Sequence, residues 1–235
     1  MGCVTAPQVR RFGRPSSTRP RRLASLVVPQ GSQQRFFDVW SRVYDAPAVQ
    51  RLTYLPVQDT VASALRADPP PRILDAGCGT GRLALRLSQE LPRSRVTGCD
   101  LSLGMLRHGQ AQARRRAVAL VECDAQRLPF ADACFDAVVS TDAFHLLPDP
   151  EAALAGFHRV LAAGGRLLIA VVTPSSEALS RAIRAVSPWL GVPMRWPTQA
   201  ELRRQVEAAG FEVASQRRIF RLPAPATLTE AVRRG

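Results

Sequence analysis

Between Arg72 and Val172 the chain alternates short apolar runs with longer stretches of helical periodicity. The segment "RILDAG" reads as a strand and "RLALRLSQEL" as the helix after it. "RVTGCD" and "LGMLRHGQAQARRR" repeat the pairing. "AVALVECD" and "FDAVVSTDA" are two further strands, the second followed by the helix "PEAALAGFHRVL". "GGRLLIAVV" is apolar at nearly every position, as expected of a strand buried on both faces. Strands and helices in strict alternation predict an α/β fold, a doubly wound, mostly parallel sheet with helices on both sides.

The flanks read differently. Residues 1–30 are rich in Arg, Pro and Ser without periodicity and are expected to form a flexible basic tail. Residues 31–70 are amphipathic and helical, interrupted near Pro47 and Pro56, until "DPPP" (Asp68 to Pro71) stops the helix and delivers the chain to the first strand. The main domain is then 71–235, with a helical cap segment over 174–197. In "TQAELRRQVEAAGF", Thr198 stands as N-cap and Gly210 just past the helix end. No internal repeat is visible.

Composition changes this picture little. No apolar stretch reaches the roughly 20 residues a membrane span needs, so a soluble protein is expected. The net charge is +13, of which residues 1–37 supply seven arginines and no acid. The chain has neither lysine nor asparagine, so part of the arginine excess reflects a GC-rich genome rather than polyanion binding. Nucleic acid is therefore not the expected partner. The five cysteines lack CxxC pairs, and four lie in or beside the apolar runs as small hydrophobes, which suits a reducing cytoplasm. An arginine-rich, acid-free leader also fits a mitochondrial transit peptide, the alternative compartment.

The chemistry concentrates in "ILDAGCGTGRLAL", where an apolar strand ends at Asp75 and three glycines follow. A glycine loop opening a helix lets a ligand approach bare backbone N–H groups at the helix's positive end. Dinucleotides require G-x-G-x-x-G, but Arg82 stands at the third glycine's place and Gly81 comes one early. Asp100, at the tip of the second strand, suits the two hydroxyls of a ribose. Asp124 follows the third strand on the same rim. With "VTGCDLSLGML", "VECDAQRLPFADACFDAVVS" and "FHLLPDPEAALAGFHRVLAAGGRLLIA", these residues resemble the class I S-adenosylmethionine-dependent methyltransferases, in particular the type 11, ubiquinone/menaquinone C-methyltransferase-like group. The resemblance covers roughly Arg72 to Val172 and implies the Rossmann-like methyltransferase fold.

It also implies roles, position by position. The loop Gly77, Cys78, Gly79, Thr80 and Gly81 would hold the methionine part of S-adenosyl-L-methionine, with Asp75 attracting its ammonium. Asp100 would bind the ribose, Leu101 and Met105 would pack on adenine or ribose, and Asp124 with the Ala125 backbone would address the adenine. Ser140 and Thr141 would line the methyl-transfer end, and Tyr44 would sit on a helix closing over the cofactor. The family's sheet ends in an antiparallel hairpin. Here "FEVASQRRIF" supplies one strand, but "LPAPATLTEAVRRG" shows no pattern that marks its partner, which leaves a seventh strand in question.

His145, in the loop after strand four, is the candidate catalytic base; His108 and His158 lie in helices. No group of residues has metal-ligand spacing. The loop "STDAFHLLP" has neither the paired prolines of amino-methylating enzymes nor a cysteine nucleophile. The expected partner is thus a small, mostly apolar methyl acceptor, such as a phenol, a quinone precursor or a secondary metabolite, walled in part by Trp189, Met194 and Trp196. The alternatives are an RNA or protein methyltransferase docked through the arginine tail, or a non-catalytic cofactor-binding protein. Oligomeric state is not legible.

Overall fold

The computed structural model describes residues 51, 54–186, 195–220 (Phe220 by its backbone alone) and 225–235. The basic tail, Tyr44, Trp189 and Met194 lie outside the described residues. No helix among the described residues is long and apolar enough to cross a membrane.

Helix α1 (Leu55–Ala67) ends at extended Asp68, ahead of the three prolines, and the chain enters β1 (Arg72–Ala76). There follow α2 (Arg82–Glu90), β2 (Arg95–Asp100), α3 (Leu103–Arg115), β3 (Ala119–Glu122) and β4 (Phe135–Thr141). After a short 3-10 turn (Phe144–Leu146) come α4 (Pro150–Val160), β5 (Leu161–Val172), α5 (Glu177–Val186), α6 (Gln199–Ala208), β6 (Phe211–Phe220) and β7 (Ala226–Arg233). The seven strands form one sheet in the order β3-β2-β1-β4-β5-β7-β6. Pairing is parallel from β3 through β5, and β7 runs antiparallel to both its neighbours.

Alternation along the strands builds two cores, one on each side of the sheet. Leu74, Val138 and Ile169 join Leu154, Phe157, Leu202 and Val206 of α4 and α6. Their strand neighbours Ile73, Val139 and Leu168 join Val61 and Leu65 of α1 and Leu83 and Leu87 of α2. Cys78, Cys99, Cys123 and Cys134 are buried and form no disulfide among the described residues.

The seventh strand is present, which corrects the sequence reading. Its sequence pattern is masked because threonines occupy fully buried positions. Thr227 and Thr229 are fully buried, yet their hydroxyls are satisfied. Thr227 Oγ1 lies 2.7 Å from Thr173 Oγ1 and accepts from Gln199 Nε2 at 2.9 Å, while Thr229 Oγ1 accepts from Gln216 Nε2 at 3.1 Å. A hydrogen-bonded hydroxyl removes most of the penalty for burying a polar side chain, so a β-branched Thr can serve as a core residue. Leu228 and Ala231 supply the apolar remainder.

Helix α6 is closed by a full capping box: Thr198 Oγ1 accepts from Glu201 N at 3.2 Å, and Glu201 Oε2 accepts from Thr198 N at 2.8 Å. Thr198→Ala should lower unfolding free energy by about 1 kcal/mol, readable in urea melts as a shifted midpoint with unchanged slope.

Candidate active site

Because β1 to β4 are parallel, their C-terminal ends form one rim, and the described members of the predicted site lie at or beside it. The chain leaves β1 through Gly77, Gly79 and Gly81, all at left-handed φ (77°, 57° and 76°). The loop spends most of its own donors internally. Gly77 N and Cys78 N donate to Cys99 O at 2.8 and 3.0 Å, Gly81 N to Cys78 O at 2.9 Å, and Gly79 N to Asp100 Oδ2 at 2.8 Å. Helix α2 then starts from Gly81 with no side-chain cap, its ladder beginning at Leu85 N to Gly81 O. The first turn of α2 follows the loop directly, which puts the positive end of that helix at the rim.

Asp75 sits beneath this loop with no solvent exposure, and neither carboxylate oxygen has a hydrogen-bond partner. Burial, and then the charge of Asp100, push its carboxyl up to about 7. The Ala84 amide at the head of α2 offsets a little of this without closing a hydrogen bond on either oxygen. Such a group calls for a cationic or donating ligand.

Asp100 is held more firmly. Oδ2 accepts from Gly79 N and Oδ1 from Ser102 N, both at 2.8 Å. Burial raises its pKa, against the pull of the Ser102, Gly79 and Leu101 amides. The side chain is thus a strut between the glycine loop and the start of α3, where Ser102 caps the helix by accepting from Met105 N at 3.2 Å. Each carboxylate oxygen keeps a second lone pair for a ligand. Leu101 is 42% exposed on the rim, while Met105 is buried on the inner face of α3. Asp124 Oδ1 accepts from both the backbone and side-chain nitrogens of Gln126 at 2.9 Å, and Gln126 Oε1 accepts from Asp149 N at 2.8 Å. This ties the loop after β3 to the N-cap of α4. Ala125 packs half-buried against the core beside it.

Ser140 is buried and Thr141 half-buried at the tip of β4. His145 is buried in the 3-10 turn; its Nδ1 has no partner, and burial pushes the ring down to about 4. It is therefore neutral at pH 7 and a weak base, which counts against its predicted role as general base. His158 instead packs edge-on against Phe211, with ring centroids 5.3 Å apart.

Two features escaped the sequence reading. Asp142 adopts φ 51°, rare for a residue other than glycine, and burial pushes its carboxyl up to about 7. The motif "STDAF" carried no signal of this. Gly109, within α3, lies against the glycine loop so closely that a Cβ would stand 1.9 Å from Thr80 O. A lone glycine inside the amphipathic "LRHGQAQARR" was the available clue.

Residues 74–169 match the family described as a methyltransferase domain. The demethylmenaquinone methyltransferase of Thermus thermophilus is 36% identical over 166 residues, covering 61% of this chain and 76% of that protein. The chain belongs to the S-adenosylmethionine-dependent methyltransferases. A malonyl-[acyl-carrier protein] O-methyltransferase of Geobacter sulfurreducens is 37% identical over 180 residues, covering 72% of this chain and 65% of that protein. The fold also matches a solved 1,6-didemethyltoxoflavin N1-methyltransferase of Burkholderia thailandensis at TM-score 0.69 and 20% identity, over 91% of this chain and 94% of that one. The cofactor of this methyltransferase is S-adenosylmethionine, and the residues present fit it. A sealed, unpartnered carboxylate under the loop suits an ammonium, and three glycines at left-handed φ let a ligand approach the loop backbone closely.

Proposed function

We propose that this methyltransferase acts on a small, mostly apolar acceptor bearing a ring, a phenol or quinone precursor, by C- or O-methylation in the cytoplasm. The kinship with a demethylmenaquinone methyltransferase supports a ring acceptor. The unpartnered, fully buried Asp75 carboxylate is the observation that carries the cofactor half of the reading. In this assignment Asp75 holds the methionine ammonium, the glycine loop and the first turn of α2 its carboxylate, Asp100 the ribose hydroxyls, and Asp124 with Ala125 the adenine. Leu101, exposed on the rim, covers the nucleoside.

Bound S-adenosylmethionine supplies a methyl group already activated on a sulfonium centre. The protein's part is to align the acceptor, exclude water and receive a proton where the nucleophile carries one. Ser140 and Thr141 line that end. Asp142 and His145 are the buried titratable groups nearest the tip of β4, and Asp142 is the better matched to proton transfer near neutrality because burial brings its carboxyl to about 7.

The test incubates pure protein and cofactor separately with a short-chain demethylmenaquinol and with a malonyl thioester, and follows methylated product. Methylation of the quinol supports the proposal; turnover of the thioester alone would overturn it. For the nucleoside, Asp100→Asn is more informative than Asp100→Ala, which would also release the Gly79 and Ser102 amides. The Asn variant should fold and bind S-adenosylhomocysteine about 10- to 100-fold more weakly by calorimetry, the loss expected of a charge-assisted hydrogen-bond pair. Unchanged affinity would remove Asp100 from the site.

A further inference from the structure

Two buried polar atoms beside the rim belong to neighbouring rings. His145 Nδ1 and Trp196 Nε1 are both sealed from solvent, and neither has a hydrogen-bond partner. The ring centroids lie 5.9 Å apart in an edge-to-face arrangement, with planes at 73°. Their backbones are pinned together: Arg195 N donates to His145 O at 2.7 Å. Trp196 O accepts from Ser180 Oγ at 2.6 Å, which anchors the pair to α5. The loop carrying His145 abuts the cofactor loop, since a Cβ on Gly77 would fall 2.3 Å from Ala143 Cβ.

Buried polar groups in folded proteins almost always find partners, so an orphan marks strain, water or a ligand. Here two orphans occur in one place, on segments fixed by backbone hydrogen bonds, next to the cofactor loop. Their chemistry is also specific. An indole N–H only donates. A neutral imidazole donates from one nitrogen and accepts at the other, and burial keeps His145 neutral. Each atom belongs to a flat aromatic ring, and the two rings meet edge to face. A group that satisfies both nitrogens is an oxygen on a planar ring, accepting from the indole and sharing a hydrogen bond with the imidazole.

We propose that His145 Nδ1 and Trp196 Nε1 form a recognition subsite for a ring oxygen, phenolic or quinone-type, on the methyl acceptor. This rests on the ring-acceptor reading above and goes beyond it by naming the atoms that select the oxygen. It also reassigns His145 from base to positioning residue.

The experiment saturates the full chain with S-adenosylhomocysteine and compares 1-naphthol with naphthalene by calorimetry, the two probes differing only in the hydroxyl. The wild type should bind 1-naphthol roughly 10-fold or more tighter than naphthalene, because an unpaired polar site rejects a ligand lacking its partner. Trp196→Phe keeps the aromatic wall and loses the N–H; His145→Phe does the same for the imidazole. Each should cut the preference several-fold, and the double variant should abolish it, with S-adenosylhomocysteine affinity and melting temperature unchanged. If the homocysteine product binds but the wild type shows no preference, or the preference survives in the double variant, the subsite is wrong and the cofactor reading stands. If that product does not bind the wild type, the cofactor reading itself fails and the subsite falls with it.

Discussion

Gly109→Ala should lower the melting temperature by about 2–8 °C and weaken S-adenosylhomocysteine binding roughly tenfold or more. Two effects oppose each other. Alanine in a helix interior is favoured over glycine by at most about 1 kcal/mol. Against that, the new methyl would stand 1.9 Å from the Thr80 carbonyl oxygen, well inside contact distance and against backbone, so α3 must move off the cofactor loop. Overpacking of this kind costs about 1–3 kcal/mol and occasionally more, so the clash wins. The affinity loss follows from location. Thr80 belongs to the loop beneath which Asp75 lies, and Asp100 braces the same loop against the start of α3. A shift of α3 therefore disturbs the glycine loop and the Asp100 carboxylate together, the two groups proposed to hold the cofactor. Differential scanning fluorimetry with and without the ligand reads both effects; an unchanged or raised melting temperature would show that α3 yields easily and that Gly109 is not a close-packing position.

The contrast between Gly109 and its surroundings indicates what was legible in the sequence. Strands β1, β4 and β5 were visible because they are buried on both faces along most of their length and therefore written almost wholly in apolar letters. The rim acids were visible because a charge at the end of such a run is conspicuous. Strand β7 has the same burial, but Thr227 and Thr229 meet it through hydroxyl partners 28 to 54 residues away or from β6, and such pairing leaves no local trace. Asp142 was invisible for a related reason. Its left-handed backbone is imposed by the β4 tip, where its N–H donates to Ala170 O on β5, not by a turn-forming neighbour. His145 was legible as a residue of this loop, but its burial was not, and burial lowers the proton affinity of the ring. The predicted role of Tyr44 falls outside the described residues.

Asp75→Asn should raise the stability of the ligand-free protein above neutral pH while weakening cofactor binding by roughly 30-fold or more, the loss expected when one partner of a buried charge pair is removed. The folded-state carboxyl sits at about 7 against an ordinary value of 3.8. The folded protein therefore holds more protons than the unfolded chain between these values, and stability from this group declines as pH rises through that window, levelling off above about 7. The full displacement corresponds to roughly 4 kcal/mol, at about 1.4 kcal/mol per pH unit. Asp142 acts in the same direction. His145 acts oppositely, because its depressed value adds stability as pH rises from about 4 to 6.5. Comparing the variant with the wild type cancels both of those groups, so the difference in melting temperature isolates Asp75. That difference should favour the variant increasingly from pH 5 to 7.5. The ligand response should have the opposite sign in the wild type: an ammonium stabilises the ionised carboxylate, so S-adenosylhomocysteine should raise the melting temperature more at pH 7.5 than at pH 5.5. In the Asn variant that increment should be small and nearly independent of pH. A stability difference that stays flat with pH would mean Asp75 is ionised throughout, already compensated by something other than the cofactor, and the assignment of its partner would fail.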